Sequence, residues 1–127
     1  LFQIWIYPYK QNLNPSYNQI SIDDICGNNL IIDSKKIYSN QLVINQDISI
    51  WRCKYNLSRE NYLPLGINKF NWIQIVSGNL YIRSKNKEYK INLSCGDGLG
   101  FQISDYNDIS IKPTSDTDIL LFSMPNL

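Results

Sequence analysis

The chain has 127 residues, 43% of them apolar and 18% charged, and 12 Lys+Arg against 11 Asp+Glu leave a formal net charge of +1. That length and apolar content suit one folded domain with its own core and exclude a disordered chain. With a near-neutral balance and no run of like charge longer than two residues, the chain argues against a nucleic-acid binder, while the apolar runs are too short for a membrane helix.

Taken in chain order, apolar residues recur with a period of two, the spacing of half-buried strands. The predicted strands are Phe2–Tyr7, Leu30–Ile32, Gln41–Ile44, Ile48–Cys53, Trp72–Val76, Asn79–Arg83, Glu88–Ile91, Leu99–Ile103, Asp108–Lys112 and Asp118–Ser123. Phe2–Tyr7 is apolar on both faces, which suits a strand buried between two sheets or two protomers. In Asp108–Lys112, Ile109 and Ile111 share one face and polar residues the other. Turn residues separate the strands at Asn45-Gln46-Asp47, Ser77-Gly78, Lys85-Asn86, Cys95-Gly96-Asp97 and Pro113–Asp116. Only Asp23–Cys26 and Ser58–Tyr62 suggest a helical turn. Many short strands at this spacing predict an all-β single domain over residues 1–127, a sandwich or barrel with a jelly roll as the leading form.

The chain contains no histidine. That removes the commonest metal ligand and the usual general base at neutral pH, and with them every Ser–His or Cys–His arrangement. Cys26, Cys53 and Cys95 are odd in number and lack a C-x-x-C pair, so they predict neither a zinc site nor a disulfide framework. Unpaired thiols fit a reducing, cytoplasmic setting. No catalytic residue, metal or cofactor is expected of this chain.

Four blocks carry a family resemblance: Leu1–Pro8 with Pro15–Gln19, Trp72–Asn79, Gly96–Gly100 and Leu120–Pro125. In that order they resemble the C-terminal half of pirin-like bicupins, the proteins often labelled quercetin 2,3-dioxygenase-like. Asn18 departs from the family's usual Glu, and Ser123 from its usual Asp. The resemblance implies a cupin-type jelly-roll β-barrel. It also implies an N-terminal cupin half, absent from these residues, that holds a divalent metal through histidines and a glutamate.

The cupin metal motif maps onto named positions. If Gly78 closes its first part, the Glu slot falls on Asn71 and the two His slots on Pro64 and Gly66, or on Leu65 and Ile67. If Gly96 opens the second part, its His slot falls on Asn107. None is a credible ligand for a transition metal, so the slots read as vacant. The same alignment turns Ile73, Ile75, Ile109 and Ile111 inward, which predicts a packed interior rather than a reaction chamber.

Other features are weaker. Asp23-Asp24 reads as a solvated carboxylate pair, and Gly96–Gly100 as a tight turn, because no helix follows to make an anion site. Trp72 and Gln74, with Tyr81 and Arg83 on an adjoining strand, form a predicted aromatic surface that could hold a sugar or flavonoid-like ring, or pack against a partner. The expected partner is a second copy in a homodimer or the missing N-terminal cupin domain. Two functions remain open: a non-catalytic, metal-free structural module, or part of a metal-dependent dioxygenase whose chemistry lies in that missing half.

Overall fold

The computed structural model describes residues 1–57, 61–84 and 90–126. Within them the chain forms β1 (Gly27–Asp33), β2 (Leu42–Val43), β3 (Ser49–Tyr55), β4 (Phe70–Ser77), β5 (Asn79–Ser84), β6 (Lys90–Ser94), β7 (Gly98–Gln102), β8 (Ile109–Pro113) and β9 (Thr117–Met124). A six-stranded sheet runs β2-β1-β3-β9-β4-β7, and a three-stranded sheet runs β6-β5-β8. Tight corners after β4, β6 and β8 carry the chain between the sheets, so that β4, β7 and β9 lie over β5, β6 and β8. This is the jelly-roll path, with two separately hydrogen-bonded sheets in place of a closed barrel.

Branched side chains fill the space between the sheets. Ile73 and Ile75 of β4, with Ile119 and Leu121 of β9, meet Leu80 and Ile82 of β5, Leu93 of β6 and Ile111 of β8. Ile109 packs on the edge of this cluster. Strict alternation along β4 makes the pattern possible: Asn71, Ile73 and Ile75 are buried while Trp72 is exposed. Leu63, Leu65 and Ile103 belong to the same cluster.

Cys53 and Tyr55 face the same interior from β3. Burial pushes the Cys53 thiol up to about 12 and raises the Tyr55 phenol as well. Both groups fold in their neutral forms, so the stability they contribute is complete below the unfolded thiol value of 9.0 and is lost as pH rises toward 12. Urea midpoints should therefore hold from pH 7 to 9 and fall between pH 9 and 12. A Cys53→Ser variant should lose part of that slope.

Several expectations are corrected. Phe2–Tyr7 is not a strand: residues 1–26 run as an extended arm outside both sheets. A strand needs a ladder partner, and among the described residues Phe2–Tyr7 has none: near it the arm is tied only by Tyr9 N–H to the Asn45 carbonyl at 2.9 Å and Gln46 Nε2 to the Tyr7 carbonyl at 2.8 Å. Asp23–Cys26 holds no helical turn, whereas Tyr106–Asp108 forms a short 3₁₀ turn that sequence periodicity does not reveal. Part of the predicted Ser58–Tyr62 turn, the Lys85-Asn86 turn and the start of Glu88–Ile91 lie outside the described residues. Among the described residues no helix is long and apolar enough to cross a membrane.

Candidate functional site

Two of the positions onto which the cupin metal motif maps, Asn71 and Gly66, come together. Asn71, fully buried on β4, accepts the Gly66 N–H on Oδ1 at 2.8 Å and donates from Nδ2 to the Gly66 and Lys69 carbonyls at 2.9 and 3.1 Å. Its amide thus ties down the turn that enters β4. Ser123 of β9 stands directly opposite Asn71 in the ladder. A Cβ on Gly66 would lie 2.0 Å from Ser123 Oγ, so the serine hydroxyl fills the space a side chain at position 66 would need.

The remaining slots supply nothing. Pro64 has no donor atom, and the alternative positions Leu65 and Ile67 belong to or pack on the core. Asn107 sits exposed on the 3₁₀ turn, where its backbone N–H bonds Asp105 Oδ1 at 2.8 Å. A proline, a glycine and two amides, one of them committed to backbone at both ends, do not fit a transition metal. Among the described residues no three His, Cys, Asp or Glu side chains converge elsewhere.

Ser123 Oγ is the buried side-chain oxygen left without a hydrogen-bond partner among the described residues. Removing an unpaired hydroxyl removes its desolvation cost. Ser123→Ala should leave stability unchanged or raise it by about 1 kcal/mol, read from the urea midpoint.

The outer face of the six-stranded sheet carries an apolar patch. Ile50, Phe122, Trp72 and Gly100 form one row across it, and Arg52, Leu120, Gln74 and Gly98 the next. Trp72 lies over the glycines of β7: a Cβ on Gly98 would be 2.4 Å from its ring, and one on Gly100 3.1 Å. Gln74 Nε2 donates to the Gly96 and Asp97 carbonyls at 3.0 and 3.1 Å, holding the β6–β7 turn. Those bonds, and Asp97 Oδ2 accepting the Ser94 N–H at 2.8 Å, make Gly96–Gly100 a turn entering a strand and not a phosphate cradle.

Between this face and the amino-terminal arm runs a groove of about 500 Å³, bordered by Phe2, Trp5, Ile48, Trp72, Phe122 and Met124. Tyr81 and Arg83 do not join it. The chain turns at Gly78 into the other sheet, so β5 adjoins β6 and β8 and never β4. There Lys90 Nζ lies 3.7 Å from the centre of the Tyr81 ring and the Arg83 guanidinium 5.7 Å away. The sequence signal for the missing groove residues was present in β9, where Leu120, Phe122 and Met124 alternate with buried Ile119 and Leu121. A strand apolar on both faces has both faces covered.

Asp24 is more engaged than a solvated pair. It meets the Lys54 ammonium and lies 3.5 Å from Arg52, which also binds Asp118 at 2.7 Å. The Lys54 hydrogen bond and charge hold the Asp24 carboxyl below its usual range. These ion pairs fasten the arm near its end to β3, and Arg52 in turn joins β3 to β9.

The family described as the quercetinase C-terminal cupin domain matches residues 31–124. Quercetin 2,3-dioxygenase of Escherichia coli K12 is 31% identical over 98% of this chain and 50% of that protein. A putative quercetin 2,3-dioxygenase of Pasteurella multocida is 30% identical over 98% of this chain and 50% of its own length. Among solved structures, YhhW from E. coli superposes with a TM-score of 0.81 at 28% identity, over 97% of this chain and 49% of its own. A structure of bacterial pirin YhhW in complex with nickel(II) gives 0.78 at 26% identity, over 94% of this chain and 48% of its own. The chain thus spans about half the length of the curated relatives it matches. On the family match, the two-sheet topology and the inward aliphatic core, it belongs to the quercetinase C-terminal cupin domains, the cupin half that its pirin-like relatives carry.

Proposed function

We propose that this domain is a non-catalytic, metal-free cupin module whose role is structural: it buttresses and pairs with a second cupin-sized unit. The reading rests above all on Asn71, which occupies the Glu slot and spends its amide on the Gly66 and Lys69 backbone. Among the described residues the interior is packed mainly with isoleucine and leucine, and its buried polar groups, Asn71 and Ser123, lie against Gly66 rather than converging on a cavity. The arm-lined groove on the outer face is large, apolar and free of charged residues, and suits a partner domain.

The relatives' double length supports a second, compatible reading. The domain would be the C-terminal part of a quercetinase-like dioxygenase, with the metal and its chemistry in an N-terminal cupin outside this chain. The nickel(II) complex of YhhW belongs to that longer protein. As an isolated chain the domain forms a two-fold homodimer in the cytoplasm, and its three unpaired cysteines suit that compartment.

Thermal unfolding with added nickel(II) or iron(II) tests the metal-free reading. The midpoint should stay within about 1 °C at millimolar metal, because a ligand without a native site gives no stabilisation. A saturable rise of several degrees would overturn it.

A further inference from the structure

Among the described residues, each sheet edge is blunted in a recognisable way except one. At one end of the six-stranded sheet β2 is only 2 residues long. In the three-stranded sheet, β8 is bridged on its far side by Asn61, through N–H to carbonyl bonds of 2.9 and 3.1 Å with Ile111, and ends in Pro113. The edge strand β6 begins at Lys90. Short length, charge, proline and a bridging segment are the usual protections of an edge.

β7 has none of them. Its sequence, Gly98-Leu99-Gly100-Phe101-Gln102, carries no charge and no proline, and among the described residues it pairs only with β4. Leu99 and Phe101 stand opposite Ile73 and Asn71, so both point to the inner face, where they remain half-buried. Beside them a cleft of about 360 Å³ opens between the sheets, walled by Ile82, Ile91, Ile103 and Ile109.

We propose that β7 is a self-pairing edge: it joins β7 of a second copy, antiparallel, about a two-fold axis at Gly100. This rests on the reading that the isolated chain is a dimer, and it assigns the contact to β7, leaving the outer groove for a different domain. A two-fold edge contact is self-complementary by construction. An axis at Gly100 is the one that pairs all five residues of β7 with one another. It sets Leu99 opposite the partner's Phe101 on the inner face, an aliphatic–aromatic cross-strand pair over the cleft. On the outer face Gly100 meets its own copy, and no charge opposes another.

Sedimentation equilibrium on the whole chain, with Leu99→Lys beside Trp5→Ser as a groove control, tests this. Leu99→Lys should raise the dimer dissociation constant about tenfold or more, and Trp5→Ser should leave it unchanged. On the wild type, β7 amides should exchange hydrogen more slowly as protein concentration rises, a readout that holds even if the lysine variant fails to fold. A wild-type dimer whose β7 amides exchange at one rate at every concentration would overturn the edge pairing and leave the dimer standing. A wild type that is monomeric throughout would sink the dimer and the edge pairing together.

Discussion

Gly78→Ala is expected to destabilise the domain by about 3–5 kcal/mol, a large share of the ~5–15 kcal/mol that keeps a domain folded. Gly78 makes the corner between β4 and β5 at φ +81°, a backbone conformation that costs an L side chain about 1 kcal/mol. The larger part is contact. A Cβ there would lie 2.1 Å from the Asp116 carbonyl oxygen and 2.8 Å from Thr117 Cα. Those atoms belong to the β8–β9 corner and have little freedom to retreat. Thr114 N–H bonds the Asn79 carbonyl at 2.9 Å, and Thr117 Oγ1 lies 3.1 Å from the same oxygen and 2.9 Å from the Ser115 carbonyl. Gly96→Ala is the internal control. Its φ is +91°, yet nothing stands within 4 Å of its Cβ. That variant should lose only the backbone cost, about 1 kcal/mol. The difference between the two urea midpoints isolates the corner-to-corner contact. Equal losses would show that the corners do not touch.

Asn71→Ala should cost about 2–4 kcal/mol, because it strands the Gly66 N–H and two carbonyls in a part-buried turn. Asn71→Asp separates structure from chemistry. The carboxylate keeps the Gly66 N–H bond but sets its lone pairs against the Gly66 and Lys69 carbonyls, where the amide had donated. Burial and those carbonyls disfavour the charged form, so the folded value rises above the unfolded one. Stability would then be retained below the unfolded carboxyl value near 4 and lost as pH climbs past it. Asn71→Glu places a carboxylate at the position that the motif spacing assigns to the family's glutamate. It should destabilise the fold without creating a metal site, since Pro64 and Gly66 have no side-chain donors to join it. Chemical denaturation at pH 4 and pH 7 reads all three variants. An Asn71→Ala protein as stable as wild type would remove the structural role assigned here.

Much of this fold was legible because period two is a strong signal where one face is buried. β4 and β8 followed directly from the spacing of Ile73 with Ile75 and of Ile109 with Ile111. The same reasoning failed at Phe2–Tyr7, whose apolar residues satisfy the pattern of a strand but find no ladder partner. Apolar content on both sides records coverage, and coverage by a groove or a partner looks the same in sequence as coverage by a sheet. Tyr81 and Arg83 were misplaced for a topological reason. Adjacent strands joined by a tight turn usually form a hairpin. Here Gly78 lifts the chain into the second sheet, and nothing local to Ser77-Gly78-Asn79 distinguishes the two outcomes. Period two along β4 made Asn71 readable as an inward residue, and it is fully buried. Its bonds to Gly66 and Lys69 were not readable, because they depend on the path of a turn that carries no repeating pattern. The packing of Ser123 against Gly66 was unreadable for the same reason: it is a contact between distant parts of the chain.

Metal content of the purified, untagged chain tests the central claim most directly. Mass spectrometry of the dialysed protein should find less than about 0.1 equivalent of iron, nickel, copper or zinc, as expected for slots filled by proline, glycine and committed amides. Close to one equivalent of any of them, retained through dialysis, would contradict the account and place a metal site among residues that the cupin motif does not name.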